Sequence, residues 1–219
     1  MSDEIVFFTH PMSRGRIVRW MLEEVGQPYR TDLLDFGGSA RAAAYLALNP
    51  MGKVPAIRHG DTVVTETAAI CAYLADAFPQ ANLAPSHGSR ARGPYYRWMF
   101  FAAGPVEAAT TNKTLGVVVP DDPRMRGMVG YGSLAAVLDA LEGAIAGRDY
   151  ICGDQFTAAD VYVGSHLGWG MSFGTLEKRP AFESYVARLT DRPAAIRARG
   201  IDDALLAERQ QQTGQQRAG

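Results

Sequence analysis

The 219-residue sequence is short of several things, and each shortage removes a class of function. It has two cysteines, Cys71 and Cys152, far apart and outside any CxxC or metal-type spacing. They are expected to be small buried hydrophobes kept reduced, not a disulfide framework. The four histidines, His10, His59, His87 and His166, include no ligand-spaced pair, so no metal is expected. There is no basic field. The 22 Lys and Arg against 23 Asp and Glu leave a net charge of −1, and the arginines are dispersed, which removes nucleic acid as a partner. No run nears the roughly 18 continuous apolar residues of a membrane span. The opening MSDEIVFF has acids where a secretory signal needs lysines, and its apolar run is too short for one. No internal repeat is found. The expectation is a cytoplasmic globular protein with no membrane partner, whose 47% apolar residues fill one large core or two modest ones.

What is there begins with Ile5 to Gly26. Ile5-Val6-Phe7-Phe8 is a short apolar run that reads as a strand buried on both faces, and Thr9-His10-Pro11 break it. A helical pattern follows, with Ile17, Met21, Leu22 and Val25 on one stripe and Arg19 paired with Glu23 four residues on. Gly26 closes it. Ser13 therefore stands where a strand hands over to a helix N-terminus, a place whose free N–H groups and helix dipole favour an anion.

Further on, Tyr29–Leu34 reads as a second strand and Ser39–Leu48 as a short alanine-rich helix ending at Asn49-Pro50. Gly52–Ile57 begins a third strand, with Pro55 placing it at an edge or a strand start. His59-Gly60-Asp61 reads as a hairpin turn into Thr62–Thr65, and Ala68 to about Phe78 as a helix stopped by Pro79. The segment 83–92 has linker composition. Beyond it only helices are expected: an aromatic-rich one from Pro94 to about Asn112, one over Ser133–Gly147, and one opening at the capping box Thr157-Ala158-Ala159-Asp160. That helix carries Gly164, Gly168, Gly170 and Gly174, which points to close packing against neighbours. A helix from Pro180 and, past Arg192-Pro193, a last short one complete the order. The domains expected are 1–82, 93–205, and a polar disordered tail over 206–219.

Pro11-Met12-Ser13-Arg14, Asn49-Pro50-Met51-Gly52-Lys53-Val54-Pro55, Thr65-Glu66-Thr67-Ala68-Ala69-Ile70 and the capping box stand in one order with one spacing. From about Ile5 to Leu189 the chain resembles the soluble glutathione S-transferases, and is most similar to bacterial members with a serine beside the glutathione sulfur. The resemblance implies an α/β thioredoxin-like N-terminal domain, an all-α C-terminal domain and a homodimer. It implies that Ser13 donates to the glutathione thiolate and that Val54 pairs its backbone with the cysteinyl part. Pro55, as a cis-proline, would expose that backbone. Glu66 and Thr67 would hold the γ-glutamyl end, with Lys53 at the glycine carboxylate. Met12, Tyr96, Phe100 and Trp169 would line the pocket of a small electrophile. Tyr73, Met99 and the arginines of the first helix are offered as dimer contacts.

The chemistry agrees with the residue types. A free thiol has a pKa near about 8.5, and lowering it by about two units takes roughly 2.7 kcal/mol of preference for the anion. One charge-assisted hydrogen bond contributes about 1.5–3 kcal/mol and a helix N-terminus about 0.3–1 kcal/mol, so no metal or general base is required. Ser13 also fits a plain helix cap, Glu66-Thr67 a capping pair, and Asp160 a purely structural role. The functions open to the sequence are glutathione conjugation, glutathione-dependent disulfide or peroxide reduction, isomerisation, and a non-catalytic dimeric binding module. Reductive dehalogenation is disfavoured by the missing turn cysteine.

Overall fold

The structure, a computed structural model, describes residues 3–218. It divides into two compact units, Met1–Ala81 with Arg192–Gly219, and Asn82–Asp191.

The first unit is built on a four-stranded sheet in the order β2-β1-β3-β4, from β1 (Ile5–Thr9), β2 (Tyr29–Leu33), β3 (Ala56–His59) and β4 (Thr62–Thr65). β1 runs parallel to β2, and β3 antiparallel to both β1 and β4. All five β1 residues are buried, as an apolar run covered on both faces requires. Val6 and Phe8 face one way, into a cluster with Leu34, Ala40, Tyr45 and Ala56. Ala40 belongs to a 3₁₀ turn (Ser39–Arg41) and Tyr45 to α2 (Ala43–Leu46), so the single helix expected over 39–48 is two short pieces. Phe7 faces the other way, with the Arg19 guanidinium of α1 (Gly15–Val25) 5.1 Å from its ring centre. α3 (Thr67–Ala77) packs beside α1.

The stripe read for α1 is observed: Ile17, Met21, Leu22 and Val25 are all buried, and Gly26 ends the helix at φ 71° with its N–H donating to Leu22 O. The Arg19–Glu23 pair is not formed. Arg19 is 1% exposed and donates from Nε to Asp202 at 2.8 Å, while Glu23 accepts from the Tyr29 hydroxyl and from Arg197. The reason is a second neighbour. The last helix, Pro193–Ala218, lies on α1 and turns what would have been its solvent face into an interior. Ion pairs tie the two together: Arg16–Asp203, Arg19–Asp202, Glu23–Arg197 and Glu24–Arg192, the last with two hydrogen bonds of 2.7 and 2.8 Å. This helix differs from the sequence reading twice over. It joins the sheet-bearing unit instead of the helical one, and it continues unbroken through the segment 206–218 read as a tail.

The second unit holds α4 (Arg92–Phe101), α5 (Glu107–Thr114), α6 (Pro123–Met128), α7 (Leu134–Ile145), α8 (Ala158–Ser172) and α9 (Pro180–Thr190); the final helix is α10. Between α4 and α5 the helix widens into a π turn, Ala102–Val106, at Pro105, which has no N–H to continue the α ladder. The capping box at the start of α8 is formed. Asp160, fully buried, accepts from the Thr157 N–H and hydroxyl, the Ile151 N–H and the Tyr185 hydroxyl. Burial pushes its carboxyl up from the usual range, and these donors pull against that. The expected close packing of α8 is real at Gly164 and Gly170, where an added Cβ would lie 2.5 Å from Leu189 and 2.4 Å from Leu176. Gly174 lies beyond the helix end. No helix among the described residues is long and apolar enough to cross a membrane.

Candidate active site

The strand register gathers the sequence-predicted residues at one end of the sheet. Phe8 pairs with Ala56, and Ala56 with Thr65. The turn after β1, the Val54-Pro55 segment before β3 and the Glu66-Thr67 segment after β4 therefore leave the sheet side by side. Thr9 pairs with Leu33, which brings Asp35 and Phe36 to the same end.

Ser13 is half-buried in the turn ahead of α1. Its hydroxyl donates to His10 O at 2.7 Å, and its oxygen accepts the Gly15 N–H at 2.9 Å. Capping and donation thus use different parts of one hydroxyl, and the proton is aimed at a carbonyl. Gly15 is a glycine for a steric reason: a Cβ there would lie 1.8 Å from Thr9 Oγ1 and 2.9 Å from Ser13 Oγ. Thr9 Oγ1 itself is buried with no hydrogen-bond partner. Arg16 Nε donates to Pro11 O at 2.6 Å and ties the turn to α1, which accounts for one flanking arginine as a structural group.

The Val54–Pro55 peptide is cis, as the resemblance implied. The loop before it is closed by side chains. Asn49 accepts the Met51 N–H at 3.2 Å and donates to Lys53 O at 2.8 Å, and the Tyr45 hydroxyl donates to the same carbonyl at 2.5 Å. Gly52 completes the turn at φ 59°, and a Cβ added there would lie 3.0 Å from Ala40 O. Pro55 is buried and Val54 half-buried, and among the described residues the Val54 N–H and C=O make no hydrogen bond. The Lys53 side chain is exposed; its backbone carbonyl is what the fold holds.

Glu66 is exposed and stands before α3 at φ 65° and ψ 119°, a conformation that a side-chain-bearing residue adopts at a cost of about 1–3 kcal/mol. Its carbonyl accepts the Ile70 N–H at 2.9 Å, and its side chain makes no cap bond. Thr67 is buried at the first helical position. The opening N–H groups of α3 are therefore left for another acceptor, which is the arrangement that receives a carboxylate.

In the helical unit the aromatic segment splits as helical spacing dictates. Tyr95, Trp98 and Met99 are buried, whereas Tyr96 and Phe100, four residues apart, are 43% and 72% exposed. Trp169 on α8 is half-buried, and Met12 in the first unit is 68% exposed. The residues offered for a dimer are engaged within the chain: Met99 is core, Tyr73 bonds His59 at 2.9 Å, and Arg16 and Arg19 pair with α10.

Sequence reasoning missed Tyr45 as a clamp on Lys53, and it named His10 only as a strand break and a fallback activating group, missing its bond to the Met12 N–H. The His10 signal was available: an acceptor side chain two residues before a free N–H is the pattern of Asx-type turns.

A thioredoxin-like sheet unit carrying a cis-proline edge, followed by an all-helical unit, defines the class of the glutathione transferases. Comparison with known proteins agrees. Residues 12–77 match the glutathione S-transferase N-terminal domain and residues 90–170 the glutathione S-transferase C-terminal domain. Glutathione S-transferase GstA of Escherichia coli O157:H7 is 31% identical over 166 residues, 75% of this chain and 78% of that protein. A glutathione transferase from Methylococcus capsulatus superposes with a TM-score of 0.75 at 27% identity, over 91% of this chain and 99% of that one. A sphingomonad glutathione S-transferase, solved with glutathione, gives 0.74 at 26% identity, over 90% and 98%. The chain belongs to the glutathione S-transferase family.

Proposed function

We propose that this protein transfers a small, apolar electrophile to the sulfur of glutathione, with Ser13 as the group beside the thiolate. The observation that carries the reading is the convergence at one sheet end of a half-buried hydroxyl, an unpaired backbone edge at Val54 and an uncapped helix N-terminus at Thr67. These match the chemistry of the tripeptide. The central residue needs a backbone partner, the γ-glutamyl carboxylate an anion site, and the sulfur a donor. Val54 pairs with the cysteinyl amide like an added strand. Glu66 takes the γ-glutamyl ammonium, while the α3 N–H groups and Thr67 take its carboxylate. Lys53 meets the glycine carboxylate. Ser13 then turns its hydroxyl from His10 O to the sulfur and lowers the thiol pKa, so that the thiol proton passes to water. The thiolate lone pair forms the S–C bond; an aryl halide loses halide with its bonding electrons, whereas an activated alkene takes its π pair onto carbon and is protonated from water. Tyr96 and Phe100 give the helical unit an exposed aromatic face for an apolar co-substrate, with half-buried Trp169 of the same unit as a further candidate.

A homodimer, a cytoplasmic location and a role in detoxification belong to the same proposal and rest on family membership. Sedimentation at several concentrations tests the first. The function is tested with a panel of aryl halides, activated alkenes, disulfides and peroxides assayed with glutathione, beside calorimetric glutathione binding. Conjugation of halides or alkenes is expected. Turnover confined to disulfides or peroxides would replace the transfer reading with reduction, and binding without any turnover would leave a binding module.

A further inference from the structure

His10 closes the turn on two sides at once. Its ring Nδ1 accepts the Met12 N–H at 3.1 Å, and its backbone carbonyl accepts the Ser13 hydroxyl at 2.7 Å. An acceptor at Nδ1 places the ring proton on Nε2 and makes the imidazole neutral. The ring is 8% exposed and lies against Phe36, with ring centres 4.2 Å apart. The charged groups around it come from three elements. Asp35 precedes Phe36 on the loop after β2, Arg209 of α10 is paired with Asp35, and Arg16 of α1 holds Pro11 O. No part of the catalytic reading above uses this imidazole.

We infer that His10 is a positioning residue: its neutral imidazole, by accepting the Met12 N–H, holds the turn in the shape that presents the Ser13 hydroxyl to the sulfur. The inference rests on the reading of Ser13 as the thiolate's partner. Protonation would convert Nδ1 from acceptor to donor facing another donor, and the turn would lose the bond that sets Met12 relative to His10. The surroundings oppose that. Burial first, then Arg209, push the imidazole pKa down from its ordinary value, with Asp35 pulling the other way. The turn is thereby kept in one shape through the neutral range and loosens only toward acid.

Two substitutions separate the acceptor from the ring. His10→Asn puts an oxygen near the place of Nδ1, able to accept from the N–H two residues on but unable to titrate there. His10→Phe keeps the ring against Phe36 and removes the acceptor. The titration midpoint of enzyme-bound glutathione thiol and the pH profile of kcat/KM with an aryl halide are measured for wild type, both variants and Ser13→Ala. Imidazole ¹⁵N shifts are recorded on the wild-type protein.

The Nε2–H tautomer is expected. His10→Phe should raise the thiol midpoint by about half a unit to one unit, lowering neutral-pH turnover about three- to tenfold. His10→Asn should restore the wild-type midpoint and abolish the part of the acid-side decline that follows His10. An unmoved midpoint in His10→Phe, with Ser13→Ala shifted, overturns the inference and leaves the Ser13 reading standing. An unmoved midpoint in Ser13→Ala overturns that reading and this one with it. An Nδ1–H tautomer overturns the inference even if His10→Phe fails to fold.

Discussion

Replacing Ser13 by alanine removes one donor, and the structure sets how much that donor is worth. The hydroxyl already donates to His10 O at 2.7 Å, so binding the thiolate exchanges one acceptor for another instead of making a bond from nothing. A charge-assisted bond contributes about 1.5–3 kcal/mol and a neutral one about 0.5–1.5 kcal/mol, leaving a net preference for the anion of about 1–1.5 kcal/mol. At about 1.4 kcal/mol per pKa unit, that is close to one unit. Ser13→Ala should therefore raise the bound thiol midpoint by about one unit and lower turnover about tenfold below both midpoints. Rates should converge as the pH rises and the thiol ionises unaided. Glutathione affinity should hardly move, since the other contacts lie at Val54 and the start of α3. The Ser13 oxygen also accepts the Gly15 N–H, so the variant should lose about 1 kcal/mol of stability, and the assay belongs well below its melting temperature. The measurement is the ultraviolet thiolate absorbance of the enzyme–glutathione complex against pH. Coincident curves would reduce Ser13 to a cap. A shift of two units or more would refute the exchange with His10 O, because only a hydroxyl with no prior partner delivers the full bond.

Other perturbations follow from the same geometry. Glu66→Gly should be no less stable than wild type, because it relieves the φ of 65°, yet bind glutathione about tenfold or more weakly; calorimetry and a melt on one sample check both. Arg19→Met should cost about 3–5 kcal/mol by leaving Asp202 charged and buried, whereas Arg19→Met with Asp202→Leu should recover most of it, read by urea denaturation. Burial, opposed by Arg19, already pushes the Asp202 carboxyl up, so even the intact pair does not fully repay its desolvation. The sign follows: with its folded pKa raised, Asp202 favours folding most at acid pH, and that contribution fades as pH rises through the folded pKa. Cys71 and Cys152, both with thiols pushed up to about 12 by burial, should resist alkylation at mildly alkaline pH in the native protein and react on denaturation, as mass spectrometry would show.

What was legible in the sequence is what depends on neighbours a few residues apart. The β1 run, the stripe of α1, the hairpin turn at Gly60 and the Thr157–Asp160 box are local patterns, and the structure contains each of them. Arg19 shows where the local rule ends. At four-residue spacing from Glu23 it reads as half of a surface pair, but its partner is Asp202, 183 residues along the chain. The placement of α10 failed for the same reason: the composition of Pro193 onward is polar, and only the ion pairs with α1 reveal its place. The turns that carry Ser13, Val54-Pro55 and Glu66-Thr67 were legible as breaks between strand and helix, while the roles proposed for these residues came from the family resemblance. Of the site's supports, Tyr45 acts through a hydrogen bond that no periodicity signals, and His10 is signalled only by its two-residue spacing from Met12.

The return of α10 to α1 also fixes an order of events at the ribosome. The sheet unit begins first and is completed last, with all of Asn82–Asp191 synthesised in between. At roughly 5–20 residues per second that interval lasts on the order of 5–20 s. Throughout it the α1 face bearing Arg16, Arg19 and Glu23 lacks its ion-pair partners on α10, and Arg19 sits over Phe7 without its counter-ion. The nascent chain thus carries an unfinished first unit until α10 has been made, and only then can the sheet unit close. A chain cut short before Arg192 would keep Ser13, Val54, Glu66 and Thr67, the residues proposed for glutathione, and lack the layer that packs on α1.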